Sequence, residues 1–161
     1  MLDAAAAQGL LEQYAAAWAA NDPSALALFW DQNEPRPFYK AEEVEHFFHS
    51  AVDIAAYWQH NAQFHDAIQL SFSHTHAQSL NDGLTLVITR MRWDIRFAGD
   101  AKNADGSPFA SAGKAMGGEN HVLAIVRATA NGPKLIGWSE TPDAPISYMR
   151  RLYEWSARPL P

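Results

Sequence analysis

From Leu84 to Phe97 the side chains alternate in kind. Met91, Trp93, Ile95 and Phe97 fall on one face of an extended chain, and Arg90, Arg92, Asp94 and Arg96 fall on the other. A period of two with one apolar and one charged face is the pattern of a long antiparallel strand, buried on one side and wet on the other. The neighbouring stretches predict partners for it. Ala67 to Gln78 is strand-like and is joined to it by Asn81-Asp82-Gly83, a hairpin turn signal. A second hairpin runs from His121 to Ala128, turns at Asn131-Gly132-Pro133 and returns from Leu135 to Glu140. Residues 99–118, rich in Gly, Ala, Ser and Lys, predict a long mobile hairpin loop, a kind of segment often used as a lid.

The front of the chain has a different period. Leu10, Tyr14 and Trp18 recur at i, i+4 and i+8 with Leu11 beside them, one apolar stripe on a helix from Ala4 to about Ala20. Asn21-Asp22-Pro23 closes it and opens another, with Asp22 as N-cap and Pro23 at the first helical position. That second helix stops before Asn33-Glu34-Pro35-Arg36-Pro37. Phe38 to Val44 reads as a strand. A third helix starts at Ser50, whose spacing to Asp53 approximates a capping box, and carries Ile54, Tyr57 and Trp58. Ile146 to Trp155 predicts a C-terminal helix with Tyr148, Leu152 and Trp155 on one side.

Helices followed by a meander of long strands predict an α+β fold: a strongly curved antiparallel sheet wrapped around N-terminal helices, leaving a cone with a pocket. The 161 residues suit one domain spanning 1–161, and 48% hydrophobic with 19% charged residues places the chain in the globular class. There is no cysteine, which excludes disulfides, thiolate nucleophiles and sulfur-ligated metals. No basic segment followed by an apolar run marks a secretion signal, and no apolar run reaches the roughly 20 residues of a membrane span, so a cytoplasmic location is expected. A net charge of −6 argues against a nucleic-acid partner. Residues 1–89 are acidic and residues 90–161 basic on balance; this reads as local surface preference or as complementary halves meeting across an oligomer interface.

The runs Leu11-Glu12-Gln13-Tyr14-Ala15-Ala16-Ala17-Trp18-Ala19-Ala20-Asn21-Asp22, Ala27-Leu28-Phe29-Trp30, Ala41-Glu42-Glu43-Val44, Ala56-Tyr57-Trp58 and Leu135-Ile136-Gly137-Trp138-Ser139-Glu140, taken in this order, resemble the SnoaL-like branch of the nuclear transport factor 2-like superfamily. That superfamily includes steroid isomerases, polyketide cyclases, dehydratases, epoxide hydrolases, dioxygenase small subunits and non-catalytic modules, so the resemblance implies a fold and not one function. It also implies a homodimer, formed through the outer sheet face that carries Arg90, Arg92 and Arg96.

The resemblance places Tyr14 where ketosteroid isomerases carry the phenol that stabilises an enolate; a core tyrosine between Leu10 and Trp18 is the alternative. It places Glu42 and Glu43 near those enzymes' base, where a carboxyl in an apolar pocket has a raised pKa. As adjacent strand residues, at most one of the two would face inward. The isomerases' second acid corresponds to the region Asn120-His121. His121, opening a strand with Leu123 and Ile125 on its own face, is a candidate acid/base or ligand donor, or else a rim histidine. His74 and His76 share a strand face, with His60 and His65 nearby in sequence, but lack an acidic partner at ligand spacing, and no metal is expected.

Six tryptophans bias the pocket toward a flat, apolar or aromatic ligand. Trp18, Trp30, Trp58, Trp93 and Trp138, with Tyr57, are the expected lining. No phosphate loop, nucleophile elbow or basic stripe is present. The expectation is a small-molecule pocket that performs cofactor-free proton transfer as an isomerase, cyclase or dehydratase. The alternatives are a non-catalytic binding or dimerising module and a small subunit of an oxygenase.

Overall fold

The computed structural model describes residues 2–81, 83–103 and 105–157. Asp82 of the expected turn and Ala104 of the expected loop lie outside them. Helix α1 (Ala4–Ala19) buries Ala7, Leu10, Leu11, Tyr14, Ala17 and Trp18, the stripe that its period announces. Asn21, at φ 53, takes the left-handed conformation that ends a helix, and its side chain donates to the Ala62 carbonyl at 3.0 Å. Helix α2 (Pro23–Ala27) starts at Asp22, whose carboxylate accepts from the Ser24 amide. Helix α3 (Ala51–Phe64) starts at Ser50, whose hydroxyl accepts from the Asp53 amide at 3.1 Å. Each cap satisfies a helix-end N–H that has no partner within the helix.

Five strands form one sheet in the order β1-β5-β4-β3-β2: β1 (Phe38–Lys40), β2 (His65–Asn81), β3 (Leu84–Phe97), β4 (Ala115–Thr129) and β5 (Gly132–Pro142). The sheet is antiparallel except at one edge, where β1 runs parallel to β5 with Tyr39 opposite Trp138. Bulges interrupt the β2–β3 register, one of them between Ser73 and His76 around His74 at φ 54. An extra residue on one strand bends it, and β2 curls over α1 at this point. There the Gln8 side chain donates to the Phe72 carbonyl at 3.1 Å and accepts from the Thr75 hydroxyl at 2.5 Å. His74 and His76 are both exposed beside the bulge.

Three expectations are corrected here. The strand expected over 38–44 ends at Lys40, and Ala41 to Phe47 is a series of turns. Strand β4 begins at Ala115, so the loop is shorter than 99–118. Gly117 and Gly118, which suggested loop, are strand residues with side chains lying over them. A Cβ on Gly118 would sit 2.7 Å from the Trp93 indole, and one on Gly117 would sit 2.2 Å from the Asp94 carboxylate. The intervening segment is pinned by Phe109, whose ring lies 4.9 Å from those of Phe64 and Phe97.

Helix α4 (Ile146–Ser156) stands apart from the core, with Tyr148, Leu152 and Trp155 all exposed. The acidic and basic halves of the chain meet within the molecule. Arg127 of β4 binds Asp31 at 2.7 Å and Glu34 at 2.6 Å, tying the segment after α2 to the sheet. No helix among the described residues is long and apolar enough to cross a membrane.

Candidate functional site

Between the inner sheet face and helices α1 and α3 lies a cavity of about 480 Å³, within the range of small-molecule sites. The alternation in β3 supplies one wall, with Met91, Trp93, Ile95 and Phe97 all facing it. Trp18 comes from α1, Tyr39 from β1, Tyr57 from α3 and Trp138 from β5. His60, Asn61, Phe64 and His65 line it where α3 passes into β2. Burial is the first cause that holds His65 below the ordinary imidazole value, which favours its neutral form.

Glu140, on β5, is the polar centre of this cavity. It is 9% exposed. Its Oε1 accepts from the Trp138 indole N–H at 2.6 Å and its Oε2 accepts from Asn120 Nδ2 at 2.8 Å. Burial pushes its carboxyl up to about 7, opposed by those two donors and helped by the charges of Glu43 and Glu42. Asn120 is fully buried, and its Oδ1 has no hydrogen-bond partner among the described residues.

Glu42 and Glu43 both line the cavity. They stand on the turn after β1, where successive side chains need not point opposite ways as they must on a strand. Glu42 is partly buried, and its carboxyl is raised by that burial and then by Glu43. Glu43 is exposed at the mouth and accepts a hydrogen bond from the Tyr57 hydroxyl.

Of the other expected residues, Trp18, Tyr57, Trp93 and Trp138 line the cavity. Trp30 and Trp58 do not. They are buried behind it, with ring centroids 5.8 Å apart and 5.9 and 6.1 Å from the ring of Tyr39. Tyr14 is also withheld from the cavity. It packs at 5.4 Å from Trp138 and 5.5 Å from Phe29, and its buried hydroxyl has no hydrogen-bond partner among the described residues.

His121 lies on the opposite sheet face from the cavity, exposed, with Nε2 3.8 Å from an Asp143 oxygen. The buried stripe of β4 is Asn120, Val122, Ala124 and Val126, so the residue that reaches the cavity is Asn120. Sequence reasoning reached the region Asn120-His121 but chose His121 from it, and it passed over Glu140 and Tyr39 as site residues. Glu140 had a signal, because it is two residues from Trp138 on one strand, and a Trp138 that faces the pocket brings Glu140 with it. Among the described residues no three His, Asp or Glu side chains are placed to share a metal ion.

No family model matches the sequence, and no curated protein matches it. Solved structures do. A protein of Novosphingobium aromaticivorans provisionally described as an aromatic ring hydroxylase superposes with a TM-score of 0.71 at 14% identity, covering 89% of this chain and 90% of that one. A protein of Streptomyces avermitilis provisionally described as a dehydratase of the nuclear transport factor 2-like family gives 0.69 at 13% identity, covering 88% and 96%. A nuclear transport factor 2-like superfamily protein of Salmonella enterica gives 0.67 at 8% identity, covering 86% and 89%. At these identities the likeness concerns the fold alone, and the chain has the α+β cone fold of these nuclear transport factor 2-like structures.

Proposed function

We propose that this nuclear transport factor 2-like cone binds a small, largely apolar or aromatic molecule and moves a proton on it without a cofactor, as an isomerase, cyclase or dehydratase does, with Glu140 as the exchanging group. The observation that carries this reading is a buried carboxyl set between two donors at the wall of an open aromatic cavity. A pocket filled by its own side chains, as a purely structural module would have, lacks both features.

In its ionised form Glu140 takes a proton from a carbon next to a carbonyl. The C–H bond breaks, the proton passes to a Glu140 oxygen, and the electron pair moves onto the carbonyl oxygen as an enolate. Returning the proton to another carbon completes an isomerisation. A pKa near neutrality suits both halves of that cycle. Tyr39 lines the same cavity, and burial, before any neighbouring charge, holds its phenol far above the usual value. It therefore keeps its proton and can donate to the developing oxyanion, the role that sequence reasoning gave to Tyr14.

The test is hydrogen–deuterium exchange next to the carbonyl of 2-tetralone in D2O, followed by NMR. The protein is expected to accelerate exchange over buffer, with a rate that rises with pH through about 7 as Glu140 ionises and levels off above it. Glu140→Gln is expected to lower the acceleration by about 100-fold or more. A wild-type rate equal to buffer, or a Glu140→Gln rate equal to wild type, overturns the reading.

The same proposal includes a cytoplasmic homodimer. Its outer sheet face holds exposed Ile88 and Leu123, which are Cα partners across β3 and β4, and beside them Arg90 binds Glu119 and Asp143. Light scattering is expected to give the mass of two chains, and Leu123→Asp is expected to halve it. A monomeric wild type removes the dimer.

A further inference from the structure

We infer that the molecule this cavity takes carries a protonated amine, held at the Glu42–Glu43 side of the mouth against aromatic rings. The inference rests on the cavity being a ligand site and specifies the chemistry of its occupant.

Three carboxyl groups line the cavity, Glu42, Glu43 and Glu140, and among the described residues no lysine or arginine does. The nearby cation, Lys40, is turned to the backbone carbonyls of Val44 and Ala41. The groups that face the carboxyls from the packed elements are Tyr39 of β1, Tyr57 of α3, Asn120 of β4, and His60 and His65 at the α3–β2 junction. None of these is a fixed positive charge. An anionic ligand would meet uncompensated like charge here.

A neutral ligand would leave the cost of crowding these carboxyls standing. Glu42 is raised by burial and then by Glu43, and it is relieved only by the Asn120 amide. Asn120 Oδ1, fully buried in the wall, adds an acceptor with no donor among the described residues. A cation at this end offsets all of these terms together.

The rest of the wall suits an organic cation. Tyr57, Trp18, Trp93 and Trp138 present rings to the same space, and a desolvated ammonium over such a face is attracted by the ring quadrupole. The carboxyls flank a space of about 480 Å³ and are not placed to share one bare ion. The occupant is therefore an amine on an apolar or aromatic skeleton and not a metal ion. The net charge of −6 favours the approach of a cation from a distance.

The test compares three probes of one shape: phenethylammonium, 2-phenylethanol and 3-phenylpropanoate. Binding is read from quenching of tryptophan fluorescence at pH 8 and low salt, on protein shown by circular dichroism to be folded. The amine is expected to bind about tenfold tighter than the alcohol, and the carboxylate weakest. The amine-to-alcohol ratio is expected to fall toward one in Glu42→Gln/Glu43→Gln and to shrink as salt is added. Equal affinities for amine and alcohol, tightest binding by the carboxylate, or a ratio that the double variant leaves intact overturns the inference. 2-Tetralone exchange separates the two readings. Exchange that depends on Glu140 without an amine preference sinks only the ligand class, whereas an amine preference without exchange sinks only the proton transfer.

Discussion

Replacing Trp138 with alanine is expected to remove about 3–5 kcal/mol of folding stability, among the largest losses that one substitution causes. Trp138 is 1% exposed and links four other elements of the fold. Its ring lies 5.4 Å from Tyr14 of α1 and 6.1 Å from Phe72 of β2, and its backbone pairs with Tyr39 of β1 and Ala124 of β4. The void left by the indole cannot be filled by neighbours that are themselves held in a twisted sheet. The same change removes the N–H that Glu140 accepts at 2.6 Å, leaving a buried carboxyl with one donor fewer. Urea denaturation monitored by circular dichroism measures the loss. Domains of this kind hold only about 5–15 kcal/mol in all, so the midpoint is expected to move far toward zero denaturant. A loss below about 1.5 kcal/mol would mean that Trp138 is not the keystone that this packing makes it.

That keystone was read from the sequence as an aromatic on a strand, whereas the carboxyl two residues on, which shares its face, was passed over. What else was legible follows from what periodicity carries. Strand β3 matches its expected bounds, Leu84–Phe97, because charge marks one of its faces and apolar bulk the other. Strand β4 has two apolar stripes, Val122, Ala124 and Val126 against Leu123 and Ile125, and nothing local says which one is buried. Sequence reasoning took the second stripe and with it His121, whereas the fold buries the first and brings Asn120 into the wall.

Helix starts were legible at Asp22 and Ser50 because a cap is a local hydrogen bond. The layer occupied by each tryptophan was not. Trp30 and Trp58 have the same composition signal as Trp18 and Trp93, and only the tertiary position of Tyr39 sets the first pair behind the cavity and the second pair on it. Glu42 and Glu43 were found through the resemblance, near the position of the isomerases' base, but were assigned the wrong backbone. A three-residue β1 gives way to a turn that turns both toward the cavity.

Glu140 gives the fold an unusual dependence on pH, and its removal should show this directly. Its carboxyl rises on folding from the ordinary value of 4.5 to about 7, first because of burial. Between these values the folded chain holds a proton that the unfolded chain has released, so unfolding releases a proton and stability falls as pH rises. The contribution is complete once pH exceeds about 7, and there it amounts to a penalty on the order of 3 kcal/mol relative to pH 4. Glu140→Gln removes the titration. The new amide can still accept from Trp138, and Asn120 can turn its side chain over so that the orphaned Oδ1 receives the new N–H. The variant is therefore expected to be more stable than the wild type at pH 8 by about 2–3 kcal/mol, with the two curves converging toward pH 4.5. Urea unfolding of both proteins at pH 5, 6, 7 and 8 tests this. A Glu140→Gln variant less stable than the wild type at pH 8 would show that the two donors outweigh burial and that the carboxyl is an ordinary anion. The gain expected at pH 8, set against the loss of exchange from the same substitution, marks Glu140 as a residue kept at a cost to the fold, as a group retained for chemistry is.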